Sequence, residues 1–185
     1  MARGRSEEPG QAVPSRISLR PRPLLEALVR HDVRFIVLGG VAERLLGSPR
    51  NTDDFDICPD MARSNLDRLA TVLNELEARW RPPGLEDGGF RSGEKWNARS
   101  FASHTSLALL TTYGPFDIWP RPDGTQGYAD LIERAIDVEI NDLTVKVVHL
   151  EDSIRIKRAI GGPKYLGHLP LLRQLQRQRR QQGLD

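Results

Sequence analysis

One pattern near the start of the chain constrains its fold more than any other: an apolar strand, a glycine pair and an acid-bearing strand, in that order. The run Phe35 to Leu38 ends in Gly39-Gly40. A short helix-compatible segment, Val41–Leu46, is stopped by Gly47 and Pro49, and Thr52-Asp-Asp-Phe-Asp-Ile57 follows. Residues two apart on a strand share a face. Asp54 and Asp56 therefore stand on one side, while Phe55 and Ile57 turn to the core. Two like charges at that spacing repel, and such an arrangement persists where a divalent cation sits between them. A glycine pair just before it lets backbone come close to an anionic group that a Cβ would hold off.

The rest of the chain supplies a scaffold for that pattern. Pro21 to Pro23 open a helix reaching about His31, with Leu24, Leu25, Leu28 and Val29 as its apolar stripe. Phe55–Cys58 is the second strand, ended by Pro59. Ser64–Arg79 is amphipathic at helical spacing, with Leu66, Leu69, Val72, Leu73 and Leu76 on one face. Residues 1–16 lack periodicity and are expected to be disordered. The Gly/Pro-rich stretch Pro82–Glu94 reads as a loop.

Further on, Leu107–Thr112 and Phe116–Trp119 read as strands joined through Gly114-Pro115. Tyr128–Ala135 reads as a helix. Val138–Ile140 and Thr144–Val148 flank a tight turn at Asn141-Asp142-Leu143. Leu150–Ile160 is a helix with Glu151 and Asp152 in its first turn, where acids favour the helix dipole. Gly161-Gly162-Pro163 breaks it, and a last helix begins near Lys164. The expected fold class is α/β (α+β), a small mixed sheet flanked by helices. We expect a disordered tail over 1–16 and one domain over 17–185, its C-terminal helical part from about 150.

Composition narrows the setting. The chain has 185 residues, 38% of them hydrophobic, which suits one modest core. Its single cysteine, Cys58, excludes an internal disulfide and points to the cytoplasm. No apolar run approaches the roughly 20 residues of a membrane span, and no signal-peptide pattern opens the sequence. Net charge is only +2, but it is unevenly spread. Residues 153–185 carry eight Arg or Lys against one acid, which suits an anionic partner as well as it suits a solvated helix face.

The candidate site residues follow from charge and placement. Asp54 and Asp56 offer carboxylate oxygens to Mg²⁺, a hard cation that shares its octahedron with nucleotide phosphates. Asp117, in Gly114-Pro-Phe-Asp-Ile-Trp119, is a lone acid inside an apolar strand. It is the candidate third ligand for a two-metal site, which draws acids from more than one strand. Gly39, Gly40, Ser48 and Thr52 are candidates for contact with a nucleotide. Ile156 and Ile160 suggest a buried face of the helix, with Lys157 at its edge and able to reach phosphate oxygens. Arg155 and Arg158 read as surface charges. Arg121 is a weaker candidate for a phosphate contact, and Pro122–Tyr128 for a cleft wall. His104, His149 and His168 lack metal-ligand spacing and read as structural or surface residues.

These motifs, in this order, resemble the DNA polymerase β-like nucleotidyltransferase superfamily. The carrying residues are Leu38-Gly39-Gly40, Asp54-Phe55-Asp56 and Phe116-Asp117-Ile118. Gly124-Thr-Gln-Gly-Tyr128, Ile156-Lys157-Arg158-Ala159 and Gly161–Lys164 further resemble the bacterial nucleotidyltransferase toxins of toxin–antitoxin pairs, of the AbiEii and MenT kind. The resemblance spans roughly Leu24 to Leu175. It departs at Gly40, where many relatives carry Ser, and at Tyr165, where they often carry an acid.

The resemblance implies the nucleotidyltransferase fold and a Mg²⁺-dependent transfer of a nucleoside monophosphate from an NTP such as ATP to a hydroxyl. It also implies a tRNA 3′ end as acceptor and a small antitoxin as partner. Three alternatives stay open: an antibiotic-like small molecule as acceptor, a protein as acceptor, and a catalytically silent binding module.

Overall fold

The computed structural model describes residues 17–81, 95–101 and 104–184. The expectations for 1–16 and for the loop 82–94 lie outside the described residues.

The first helix, α1 (Pro21–Arg30), carries proline in its first turn, where the missing N–H costs no hydrogen bond, and buries Leu24, Leu25, Ala27 and Leu28. β1 (Phe35–Leu38) is buried at all four positions, so both faces of the sheet are covered there. The helix α2 (Gly39–Leu45) starts directly on the glycine pair, two residues earlier than periodicity suggests. β2 is Phe55–Pro59. α3 (Arg63–Glu75) buries Leu66, Leu69, Ala70, Val72 and Leu73. Buried Asn65 ties it to the β-sheet: its amide donates to the carbonyls of Arg34 (2.9 Å) and Asp60 (2.8 Å) and accepts from Arg34 N–H (2.7 Å).

α3 stops four residues short of the expected Arg79. Leu76 caps it, Glu77 turns left-handed at φ 51°, and Ala78 N–H closes on Leu73 O. The freed chain forms a short strand, β3 (Arg79–Trp80). The physical reason is the neighbouring β4 (Leu107–Thr111), whose ladder with β3 outweighs the helical preference of two residues. A 3₁₀ turn at Ala98–Phe101, buried at Phe101, was also not foreseen.

β4 pairs antiparallel with β5 (Gly114–Ile118) through a turn at Thr112-Tyr113, so Gly114 and Pro115 belong to the strand and not to the turn. α4 (Tyr128–Leu131) ends before the expected Ala135. β6 (Ile136–Ile140) and β7 (Leu143–Val147) form a hairpin whose turn residue Asn141 sits at φ 55°. α5 (Leu150–Ile160) matches its expected span, with His149 capping its first turn by accepting from Glu151 N–H. α6 (Gly162–Leu166) and α7 (Leu169–Gln181) follow as two pieces in place of one helix.

Among the described residues, the strands form one seven-stranded mixed sheet in the order β3-β4-β5-β2-β1-β7-β6. β2 runs antiparallel to β1 and parallel to β5. This register decides the site, since one row across the sheet reads Leu38, Asp56, Asp117, Ala108. Arg81, just past β3, continues that row through its N–H bond to Ala108 O at 2.8 Å. Residues on one row share a face. The opposite face carries Phe55, Ile57, Phe116 and Ile118, all fully buried. Among the described residues, no helix is long and apolar enough to cross a membrane.

Candidate active site

Parallel pairing of β2 with β5 places Asp56 beside Asp117, and Asp54 precedes β2 on the same side. Carboxylate oxygens of Asp54, Asp56 and Asp117 lie within 4.8 Å of one another. All candidate donors are oxygens, which suits a hard divalent cation of the magnesium type. The charges are also under strain as they stand. The Asp56 carboxyl is pushed up to about 7, first by burial and then by repulsion from Asp54, against the opposing bond from Trp119. Asp117 is likewise raised, chiefly by burial. A divalent ion would relieve both.

Each acid is held in place. Trp119 Nε1–H donates to Asp56 Oδ1 at 2.9 Å. Thr52 Oγ1 donates to Asp54 Oδ1 at 2.8 Å. Arg81 Nη2 donates to both oxygens of Asp117, at 2.8 and 3.0 Å.

The glycine pair has a more specific role than leaving room for a ligand. Gly39 sits at φ 61°, and a Cβ there would lie 2.0 Å from Asp56 Oδ2. A Cβ at Gly40 would lie 2.4 Å from Thr52 Cβ and 2.5 Å from its hydroxyl oxygen. The missing side chains are the space into which the acid and its orienting threonine pack. Serine at position 40 would collide with Thr52 as placed.

The acids open into a cleft of about 290 Å³, walled also by Gly39, Gly40, Thr52, Trp119 and Lys157. Lys157 lies on the buried face of α5, together with Leu150, Ser153 and Ile154. This corrects the expected stripe, because Ile156 and Ile160 instead line the cleft, and Ile160 is 36% exposed. Lys157 Nζ stands 2.9 Å from Glu43 Oε1, and Glu43 is 1% exposed. Glu43 also meets Arg50 Nη1 at 3.4 Å, and Arg50 reaches His168 Nδ1 at 3.0 Å. His168, expected to be structural or on the surface, lines the cleft, and burial followed by Arg50 lowers its pKa.

Two expected contacts fall elsewhere. Ser48 is buried, accepts from Arg50 N–H at 3.3 Å and does not line the cleft. The bond from Ser48 N–H to Glu43 O closes the end of α2 and turns the side chain inward. Arg121 braces its own loop, donating to Thr125 O at 3.3 Å and to the Gln126 side chain. That loop does reach the cleft through Pro122 and Asp123.

Arg81, Glu43, Arg50 and Trp119 were not singled out from the sequence. Trp119 alone carried a signal, an aromatic two residues after the strand acid Asp117. A larger hollow of about 560 Å³, walled by Trp80, Trp96 and His104, has no carboxylate among its described lining residues.

The seven-stranded mixed sheet flanked by helices, as described, has a nucleotidyltransferase fold. The fold is similar to that of the lincosamide antibiotic adenylyltransferase LnuA in its lincomycin-bound form. The TM-score is 0.57 at 11% identity, over 85% of this chain and 99% of that one. A chain from Thermotoga maritima described as a nucleotidyltransferase aligns with a TM-score of 0.47 at 19% identity, over 90% of this chain and 94% of that one. No protein-family model matches the sequence, and no curated protein matches it.

Proposed function

We propose that this cleft transfers a nucleoside monophosphate from an NTP to a hydroxyl and releases pyrophosphate. The bond formed joins the acceptor oxygen to the α-phosphorus, and the bond broken links α-phosphorus to the bridging oxygen. The observation that carries this reading is the convergence of Asp54, Asp56 and Asp117 within 4.8 Å on neighbouring strands of that fold. Their carboxylates would hold Mg²⁺. Such ions, when bound, neutralise phosphate charge and make the attacking hydroxyl more acidic. Asp117 would help to take the hydroxyl proton. Gly39 and Thr52 keep Asp56 and Asp54 in position, and Lys157 meets negative charge that grows on the departing pyrophosphate.

Lys157→Met is expected to lower turnover at least tenfold, equivalent to about 1.4 kcal/mol. Exposed Arg158→Ala should change it little. Because Glu43 is buried against Lys157, the same variant should also lower the melting temperature. Adding Glu43→Gln should recover stability without recovering turnover. Recovery of both would make Lys157 a structural partner only. Turnover of labelled NTP beside a thermal melt separates the cases.

For the acceptor we propose RNA, with the tRNA 3′ end as the acceptor hydroxyl, in a toxin restrained inside the cell by a small antitoxin. Support comes from the cations around the cleft: Arg50, Lys157 and Lys164 line it, and Arg173 and Arg177 are exposed on α7. The tail is only partly available, since Arg180 pairs with Glu151 and Arg179 donates to the carbonyls of Leu46 and Leu184. A second reading, a small-molecule hydroxyl acceptor, is favoured by the fold likeness to an antibiotic adenylyltransferase.

Labelled-NTP transfer to total RNA, total protein and lincosamide or aminoglycoside antibiotics, each at two salt concentrations, tests both. RNA labelling should fall steeply with salt, with a log–log slope of roughly −0.7 per phosphate contacted on a single strand. Label appearing only in drug would favour the second reading. Label only in protein, or RNA labelling indifferent to salt, would rule out the RNA acceptor.

A further inference from the structure

The third acid does not stand free. A single Arg81 nitrogen, Nη2, donates to both oxygens of Asp117, and the pair is mostly shielded, with side chains 27% and 13% exposed. Arg81 Nε is buried and has no hydrogen-bond partner among the described residues, so the guanidinium is committed to Asp117 while one of its own donors goes unused. Among the described residues, the hydrogen-bond partners of Asp56 and Asp54 are the neutral Trp119 and Thr52. Lys157, a buried cation that lines the cleft, is paired with Glu43. The three carboxylates are therefore unequal: two are held by neutral donors, and one is already neutralised by a resident positive charge.

Resting on the transferase reading above, we propose that Arg81 orders the loading of the site. It occupies Asp117 in the nucleotide-free protein, so that Asp54 and Asp56 accept the first divalent ion and Asp117 becomes a ligand only after Arg81 is drawn away. Two effects oppose an ion at Asp117 beforehand. The ion would have to displace a charge-assisted contact to both carboxylate oxygens, and it would meet a like charge at close range. Nucleotide removes the obstacle, because its phosphates offer the guanidinium an alternative anionic partner whose oxygens match arginine's planar fork of donors. Arg81 is then a positioning residue whose departure couples arrival of the substrate to completion of the acid triad. Its place in the chain fits such a movement: it lies one residue beyond the end of β3 and is anchored there by its backbone bond to Ala108.

The test reads metal binding without turnover. Mn²⁺ is titrated into the nucleotide-free protein and followed by electron paramagnetic resonance, with and without a non-hydrolysable NTP analogue. Wild type should bind one ion alone and a second with the analogue. Arg81→Met should bind the second ion without nucleotide, at least tenfold more tightly than wild type, and Arg81→Lys should fall between them. Adding Asp117→Asn to Arg81→Met should erase the gain, whereas Asp117→Asn alone should leave nucleotide-free binding as in wild type.

A merely structural arginine would lower the melting temperature without changing the number of ions bound. If Arg81→Met melts early, the intermediate behaviour of Arg81→Lys carries the comparison. Identical Mn²⁺ isotherms for wild type and both Arg81 variants would overturn the proposal and leave the transferase reading intact. Absence of Mn²⁺ binding in every form, analogue present, would overturn the transferase reading itself.

Discussion

Asp56→Asn is expected to reduce nucleotidyl transfer by about 10³-fold or more, roughly 4 kcal/mol of transition-state stabilisation, while the protein stays folded. Asparagine keeps the oxygen that accepts from Trp119 Nε1–H but offers no charge to a cation. Asp54→Asn should lose turnover comparably. The distinguishing sign is in stability. Burial and Asp54 raise the Asp56 pKa to about 7 in the folded protein, above the ordinary carboxyl value near 4. Between those limits the folded state binds more protons than the unfolded one, so the contribution of Asp56 to stability is present at low pH and is lost as pH rises through about 7.

Metal-free wild type should therefore lose melting temperature relative to Asp56→Asn as pH is raised from 5 to 8. Mg²⁺ should restore wild type at pH 8 and leave the variant unchanged. Wild-type turnover in Asp56→Asn, or parallel pH profiles of the two proteins, would remove Asp56 from the role assigned to it.

Gly39→Ala should injure both fold and activity. The left-handed backbone at φ 61° costs a non-glycine residue about 1–3 kcal/mol. The added Cβ would also stand 2.0 Å from Asp56 Oδ2, so the carboxylate has to move, and a displacement of about 1 Å at a reacting centre can cost roughly 10²-fold in rate. Gly162 is a matched control, with φ 76° and nothing within 4 Å of its added Cβ. Gly162→Ala should show the backbone cost in a thermal melt while keeping turnover. Equal loss of turnover in both variants would mean that strain, and not contact with Asp56, explains the Gly39 effect.

Much of the scaffold was legible because its signals are local. Prolines that open α1 and the glycines that close α5 act on their own few residues. Alternation across Asp54-Phe55-Asp56-Ile57 placed acids and core residues on opposite faces before any partner strand was known, because the pleat has period two. The third acid was legible for the same reason, as a charge inside an apolar strand. Less of the site was legible where local patterning pointed the wrong way. The stripe through Ile156 and Ile160 put Lys157 at an edge, whereas α5 buries it against Glu43 of α2, far earlier in the chain. Ser48, a candidate for contact with a nucleotide by its place in the sequence, is instead buried at the closed end of α2.

The sequence by itself determined which strand acids are candidates for the chemistry and which face of each strand they occupy, because strand periodicity is a property of a few consecutive residues. Only the tertiary structure decided what those residues meet. Pairing of β2 with β5 put Asp56 beside Asp117. Capture of β3 by β4 brought Arg81 onto the same row. An ion pair between α5 and α2 joined Lys157 to Glu43. Each of these contacts links segments dozens of positions apart, whose encounter depends on strand order and register across the whole sheet. No local pattern encodes that order, since it is set by which apolar faces can be buried together at least cost in unpaired backbone and loop entropy.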